Sequence, residues 1–267
     1  GADLSVWINY QKGSAKIVYE LIDSYLSIPT YSFKNLLRGV ARYITGQHKH
    51  LLFNQRKTIE LMCKRADAVV CSTVEQKKYL EDLCSNTRII LDFKSMFKRL
   101  KSSYAIHNEI NIVWEGLPYN IKSFSVIKNA LSVLNKRYIV NLHMITSLEY
   151  GKFMGKYIKK NTINDIHKII DANKIYLYEW NEHTCSHIAG ACDLAVIPNN
   201  KYDPMDWGKP ENKLLIFWLM GLPTITSATP AHLRTMDKAE LSMTCSSEEQ
   251  WIESVSYTHL TLPTTPY

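Results

Sequence analysis

Along this chain, short runs that are apolar throughout alternate with longer segments whose apolar residues recur at helical spacing. "KIVYELID" (16–23) reads as a strand ending in Asp23, and "NQRKTIELMCKRA" (54–66) as a helix with Ile59, Met62 and Cys63 on one face. "DAVVCST" (67–73) is a buried strand, and Ser72 or Thr73 is placed to cap the helix "VEQKKYLEDLC". "TRIILDF" follows as another strand. Beyond residue 105 the strands are "EINIVWEG" (109–116), "YIVNLHMIT", "KIYLYEW", "DLAVIP" and "PTITS". The helices between them are "SFSVIKNALSVLNKR" (123–137), "TINDIHKIIDAN", "TCSHIAGAC" and one within "KPENKLLIFWLMG". Wholly apolar strands separated by helices predict parallel sheets covered on both faces. The expected fold is α/β, with two Rossmann-like doubly wound domains. The basic stretch "DFKSMFKRLKSSYAIHNE" (92–109) breaks the alternation and reads as a linker. It places an incomplete first domain over 1–105 and a fuller second one over 106–254.

The two ends do not fit this pattern. "GADLSVWINYQKG" opens without an initiator Met or a signal peptide. "SVSYTHLTLPTTPY" carries neither helical nor strand periodicity and resembles the adapter-derived tail that ends some shotgun gene calls. Residues 255–267 are therefore expected to be non-native, and the chain a fragment truncated on both sides.

Composition narrows the function classes. A hydrophobic content of 46% with 21% charged residues is that of an ordinary globular protein and excludes general disorder. The apolar run "LLIFWLMGLP" is half the ~20 residues of a membrane span, so it reads as a core helix. The net charge of +7 is spread along the chain; only "FKSMFKRLK" (93–101) concentrates it. That argues against nucleic acid as a partner and allows peripheral contact with an anionic membrane face. The six cysteines form no CxxC pair, which points to a reducing, cytoplasmic setting. "HTCSHIAGAC" invites a metal through His183, Cys185, His187 and Cys192. Cys185 falls on a different helix face from the two histidines, so a polar helix start is the plainer reading and no metal is expected.

In doubly wound sheets, ligands lie beyond the carboxyl ends of the strands. The loop "NNKYDPMDWGKPENK" there is long and leads into a helix. Pro210 suits a first helical turn, Gly221 suits the position just past the end, and the helix is expected over Pro210–Met220. Its free amides at Glu211, Asn212 and Lys213, with Lys209 and Lys213 alongside, form an anion site. Glu211 would accept from sugar hydroxyls. The same charges also fit a solvated first turn.

"ADAVVCST", "INIVWEG" and above all "KPENKLLIFWLMGLPTITS" together resemble two-domain glycosyltransferases of the GT-B type, in particular bacterial surface-polysaccharide enzymes with a "KPxNKLL" helix. The resemblance covers most of residues 15–250. It implies a hexosyltransferase-like enzyme that moves a sugar from a nucleoside-diphosphate sugar to a glycan or lipid-linked acceptor, in the cytoplasm or at the inner face of the membrane. It implies that Lys209, Asn212 and Lys213 contact phosphate or donor sugar, and that Gly116 lets the first loop approach closely. Lys122 matches a family lysine, Trp180 and Glu182 lie where the base is held, and Thr226 and Ser227 face the same cleft.

Two departures stand out. Retaining members carry two glutamates eight positions apart, and those slots are Gly208 and Ile216 here. The family's first-loop arginine is Leu117. Amides and lysines can stabilise a leaving diphosphate without a metal, so no cofactor is expected. A catalytic base could be Asp23, with His48, His50 and His107 as further options; each also fits a plain cap or surface role. A non-catalytic sugar-nucleotide-binding scaffold and a sugar-nucleotide epimerase of the same shape remain alternatives.

Overall fold

The computed structural model describes residues 3–11, 13–27, 33–91, 96–105, 109–152, 158–170 and 174–260. It divides into two compact units, Gly1–Asp92 with Lys201–Pro210, and Phe93–Asn200 with Glu211–Tyr267.

In the first unit, α1 (Leu4–Trp7), β1 (Val18–Leu21), α2 (Phe33–Ile44), α3 (Gln55–Arg65), β2 (Ala68–Cys71), α4 (Val74–Leu80) and β3 (Thr87–Ile89) follow in order. The strands form a parallel sheet in the order β1-β2-β3. Helix starts are set by side chains that satisfy otherwise orphaned amides. Asn54 caps α3 by accepting from Lys57 N (3.0 Å), and Thr73 caps α4 by accepting from Gln76 N (3.0 Å). Gln76 reaches back, accepting from Ser72 N at 2.9 Å and donating to Ile22 O at 3.0 Å, which ties α4 to the end of β1. Leu21, Ile59, Cys63, Val69, Cys71 and Leu80 form the core, as the helical spacing of 59, 62 and 63 predicts.

The second unit holds β4 (Glu109–Glu115), a 3-10 helix (Pro118–Val126), α5 (Lys128–Asn135), β5 (Ile139–Thr146), β6 (Glu149–Lys152), β7 (Ile158–Asn161), α6 (Thr162–Ile169), β8 (Lys174–Glu179), α7 (Glu182–Gly190) and β9 (Leu194–Ile197). The short helix α8 (Pro204–Trp207) belongs to the first unit. The second unit resumes with α9 (Asn212–Leu219), β10 (Thr224–Ser227), α10 (Pro230–Lys238), β11 (Thr244–Cys245) and α11 (Glu248–Leu260). Six strands form one parallel sheet in the order β11-β10-β9-β4-β5-β8. The chain winds outward from β4 through β5 to β8, then restarts at β9 on the other side of β4. That is the doubly wound Rossmann order, with its switch point between β4 and β9.

Alternate residues of the strands feed two cores. Ile112, Trp114, Leu142, Met144 and Val196 pack with Phe124, Leu134, Ile166 and Trp251 on one face. Val113, Ile145, Ala195 and Ile197 pack with Cys185, Leu214, Phe217 and Met236 on the other. Each fully buried side chain of this size contributes about 1.5–3 kcal/mol.

Four segments differ from expectation. Part of the anticipated linker packs on the second unit: Phe97 is buried in its core, Lys101 Nζ donates to Cys192 O (2.6 Å) and Tyr104 OH donates to Gly221 O (2.7 Å). Its amphipathic pattern covers an apolar surface, as a strap does. The loop after β5 contains an antiparallel hairpin of β6 and β7. The residues after β10, given no element from sequence, enter α10, which is capped by Thr229 accepting from His232 N (3.3 Å). The segment that lacked periodicity is helical to Leu260, and Trp251 and Val255, one turn apart, enter the core. All six cysteines are free, and all but Cys84 are buried. Among the described residues, no helix is long and apolar enough to cross a membrane.

Candidate functional site

The second unit's parallel strands all end on one edge, and α9 begins there. Its C-terminus shows why the sequence reads as it does. Gly221 has φ +84°, Gly221 N donates to Trp218 O (2.9 Å) and Leu222 N to Phe217 O (2.9 Å). This paired ending stops the helix where only glycine adopts the turn without strain. At the other end, Glu211 is the cap residue, yet no side chain caps the helix. The first intrahelical bond runs from Leu215 N to Glu211 O (3.1 Å). The first-turn amides therefore donate no hydrogen bond to the cap side chain and keep the positive end of the helix dipole.

Lys213 fixes that start in place. Its Nζ donates to Glu115 O at 2.7 Å, pairs with the Glu115 carboxylate at 3.2 Å, and lies 5.8 Å from the Trp114 ring centroid. Trp114 and Glu115 end β4, on one side of the switch point. A Cβ on Gly116 would lie 2.5 Å from Trp114 Cζ2 and 2.9 Å from Lys213 Nζ. The glycine thus makes room for the protein's own lysine.

Glu211 is 3% exposed, and both its carboxylate oxygens accept from Arg234 of α10, at 3.0 and 3.3 Å. The carboxylate expected to meet sugar hydroxyls is instead spent joining α9 to α10. On the other side of the switch point, Asn199 follows β9, and its N–H donates to Ser227 Oγ (2.8 Å) at the end of β10. Among the described residues, four buried side-chain atoms at this edge have no hydrogen-bond partner: Thr146 Oγ1 at the end of β5, Asn199 Nδ2, Asn212 Oδ1 and Thr226 Oγ1. Buried polar atoms are nearly always satisfied, so four on one edge is unusual.

The remaining expected residues spread out. Trp180 and Glu182 sit past the end of β8 and in the first turn of α7, where Asn181 caps by accepting from His183 N (2.8 Å). Lys122 is exposed on the 3-10 helix after Gly116. Lys209 belongs to the first unit, its Nζ 2.6 Å from Asp206 Oδ1. Asp23, also in the first unit, accepts from Tyr25 OH at 3.2 Å. His107 lies outside the described residues; His48 and His50 are in the first unit.

The absent glutamates have a physical account. A Cβ on Gly208 would lie 2.2 Å from Ser24 Oγ, and that hydroxyl donates to Gly208 O at 2.6 Å. No larger side chain fits while Ser24 stands there. Ile216 packs against the core beneath α9. The histidines and cysteines of "HTCSHIAGAC" separate: His183 points out beside Glu182, whereas Cys185 and Cys192 are buried. Burial pushes both thiols up to about 12, and a protonated thiol is a poor ligand. Among the described residues no group of His, Cys, Asp and Glu is arranged to hold a metal.

Glu115, Arg234, Asn199 and Thr146 were not singled out from sequence. Glu115 alone left a signal, an acid closing the apolar run 112–114 just before a glycine.

No family model matches the sequence, and no curated protein matches it. Solved structures do. WaaG, described as a glycosyltransferase involved in lipopolysaccharide biosynthesis, aligns with a TM-score of 0.51 at 13% identity, over 95% of this chain and 68% of its own. TarM aligns at 0.47 and 10% identity over 98% of this chain, and an O-GlcNAc transferase from Thermobaculum terrenum at 0.48 and 9% over 91%. The chain spans 49% of the TarM chain and 60% of the O-GlcNAc transferase chain. The fold is that of the GT-B glycosyltransferases: a parallel Rossmann-like sheet in each unit, as the alternation of apolar strands and helices predicted.

Proposed function

We propose that this chain is part of a nucleotide-sugar-dependent glycosyltransferase whose second unit holds the donor's diphosphate at the start of α9. One observation carries the reading. A helix start with no side-chain cap is tied, through Lys213 and Glu115, to the strand that borders the switch point of a doubly wound sheet. Phosphates favour such a position because unpaired amides and the helix dipole meet there.

In this reading the first-turn amides of α9 and the Lys213 ammonium donate hydrogen bonds to the diphosphate oxygens. They stabilise the charge that grows on the leaving group as the glycosidic bond forms, so transfer needs no divalent ion. Asn199, Asn212, Thr146 and Thr226 supply hydrogen bonds the protein itself leaves unmade. Ser227, already accepting from Asn199 N, orients that pair, and Trp180 with Glu182 flanks the base. Gly116 gives Lys213 its seat, and Lys122 adds positive charge. Glu211 holds α9 to α10. The acceptor is a glycan or lipid-linked saccharide, reached in the cytoplasm or at the inner face of the membrane, with Asp23 the candidate base.

A second reading has its own support. Gly208 cannot accommodate an acid and Ile216 is committed to the core, so a sugar-nucleotide-binding scaffold without turnover fits the same site.

Thermal unfolding against UDP, GDP, ADP and CDP tests the binding claim. One nucleotide should stabilise the protein, by about 2.7 kcal/mol at a hundredfold excess over its Kd, and Lys213→Ala should abolish the gain. If none of the four stabilises it, the proposal falls. Release of nucleotide diphosphate from the matching sugar donor, with acceptor present, separates enzyme from scaffold.

A further inference from the structure

We propose that Glu115 is a built-in counter-charge that positions Lys213 and limits how tightly the site retains free nucleoside diphosphate. The inference rests on the donor-site reading above and concerns a residue outside the phosphate-binding set.

The geometry makes Glu115 and Lys213 one unit. The ammonium is held twice by the same residue, by the backbone carbonyl at 2.7 Å and by the carboxylate at 3.2 Å. The Trp114 ring lies beneath it, and Gly116 lacks the Cβ that would collide with it at 2.9 Å. An ammonium has three N–H donors, and two are used on Glu115. Among the described residues the third has no partner, and the side chain is 36% exposed. Lys213 is therefore held in a fixed, partly exposed seat with the Glu115 carboxylate as its counter-charge.

The balance matters because the ligand is itself anionic. A lysine alone at a helix start would attract the product diphosphate as strongly as the leaving group. A carboxylate hydrogen-bonded to that lysine opposes the anion in every state. It keeps the ammonium placed for the charge that develops during transfer, and it eases departure of the charged product. Interactions felt equally by bound and reacting states do not speed the chemical step, whereas slow product release caps turnover.

A structural residue and a counter-charge predict opposite signs for one substitution. Glu115→Gln keeps the size and a hydrogen-bond acceptor for Lys213 but removes the negative charge. Isothermal titration with the nucleotide that stabilises the wild-type protein should show binding on the order of threefold to tenfold tighter, the scale of one unit charge near a surface. The excess affinity should shrink as NaCl rises from 50 to 500 mM, because an electrostatic gain is screened. Glu115→Asp, which retains the charge, should leave affinity within about twofold, and thermal unfolding verifies that each variant is folded.

Wild-type binding with equal or weaker affinity in a folded Glu115→Gln protein overturns the counter-charge and leaves the donor site standing. Failure of the wild-type protein to bind any nucleoside diphosphate overturns both.

Discussion

At the scale of single residues, Glu211 was expected to meet sugar hydroxyls or solvent, and the structure pairs it with Arg234 instead. The carboxylate is buried, and the guanidinium grips both of its oxygens. Removing one partner strands the other in a poorly solvated place. Arg234→Ala should destabilise the protein by about 3 kcal/mol, at the low end for a broken buried pair because Arg234 is partly exposed. Urea denaturation checks this, and Arg234→Ala combined with Glu211→Gln should recover part of the loss. Gly208 makes a second case. Gly208→Ala puts a methyl group against Ser24 and should cost about 1–3 kcal/mol, while Ser24→Gly in the same chain should restore the unfolding midpoint. Neither contact was legible in the sequence. Arg234 lies 23 residues from its partner and Ser24 lies 184 from Gly208, and no local periodicity encodes such meetings.

At the scale of elements, legibility followed how local the cause is. Caps were readable because a cap spans three residues. Thr73 and the Gly221 turn sit where the sequence placed them, and Gly221→Ala should cost about 1 kcal/mol through its left-handed backbone, seen as a lower melting temperature. The expected helix Pro210–Met220 contracts to α9, Asn212–Leu219, because Glu211 is drawn out of helical register as the cap. The β6–β7 hairpin was missed because its strands are largely polar, and the period-two signal needs a buried face. The strap of Phe97, Lys101 and Tyr104 was taken for a linker because its basic surface hid one apolar side. Double winding itself was plain, since wholly apolar strands have few other uses.

At the scale of the whole molecule, acidity should weaken the protein through one half-buried histidine. His143 Nδ1 lies 3.0 Å from Tyr178 OH and Nε2 lies 3.2 Å from Asn111 Oδ1, and the ring stacks on Tyr176 at 4.8 Å. Burial lowers its pKa below the ordinary 6.5, with the charge of Asp193 opposing in part. A lowered folded value means the unfolded chain binds the proton more readily. The stability His143 contributes is complete above about pH 6.5 and is lost as pH falls toward its folded value. Urea midpoints measured from pH 7.5 to 5.0 should decline, and His143→Gln should flatten that slope. Asp3 and Asp165, both held below the usual carboxylate range, act only in stronger acid.

The first unit is closed by a piece of chain that arrives late. Residues 201–210 belong to it, and Ser24 meets Gly208 only after the intervening second-unit residues have been made. On a ribosome adding 5–20 residues per second, about 6–24 s separate the synthesis of residue 92 from that of residue 210. Through that interval the turn at Ser24 lacks the partner it meets in the folded chain, so the second unit is largely made before the first is complete.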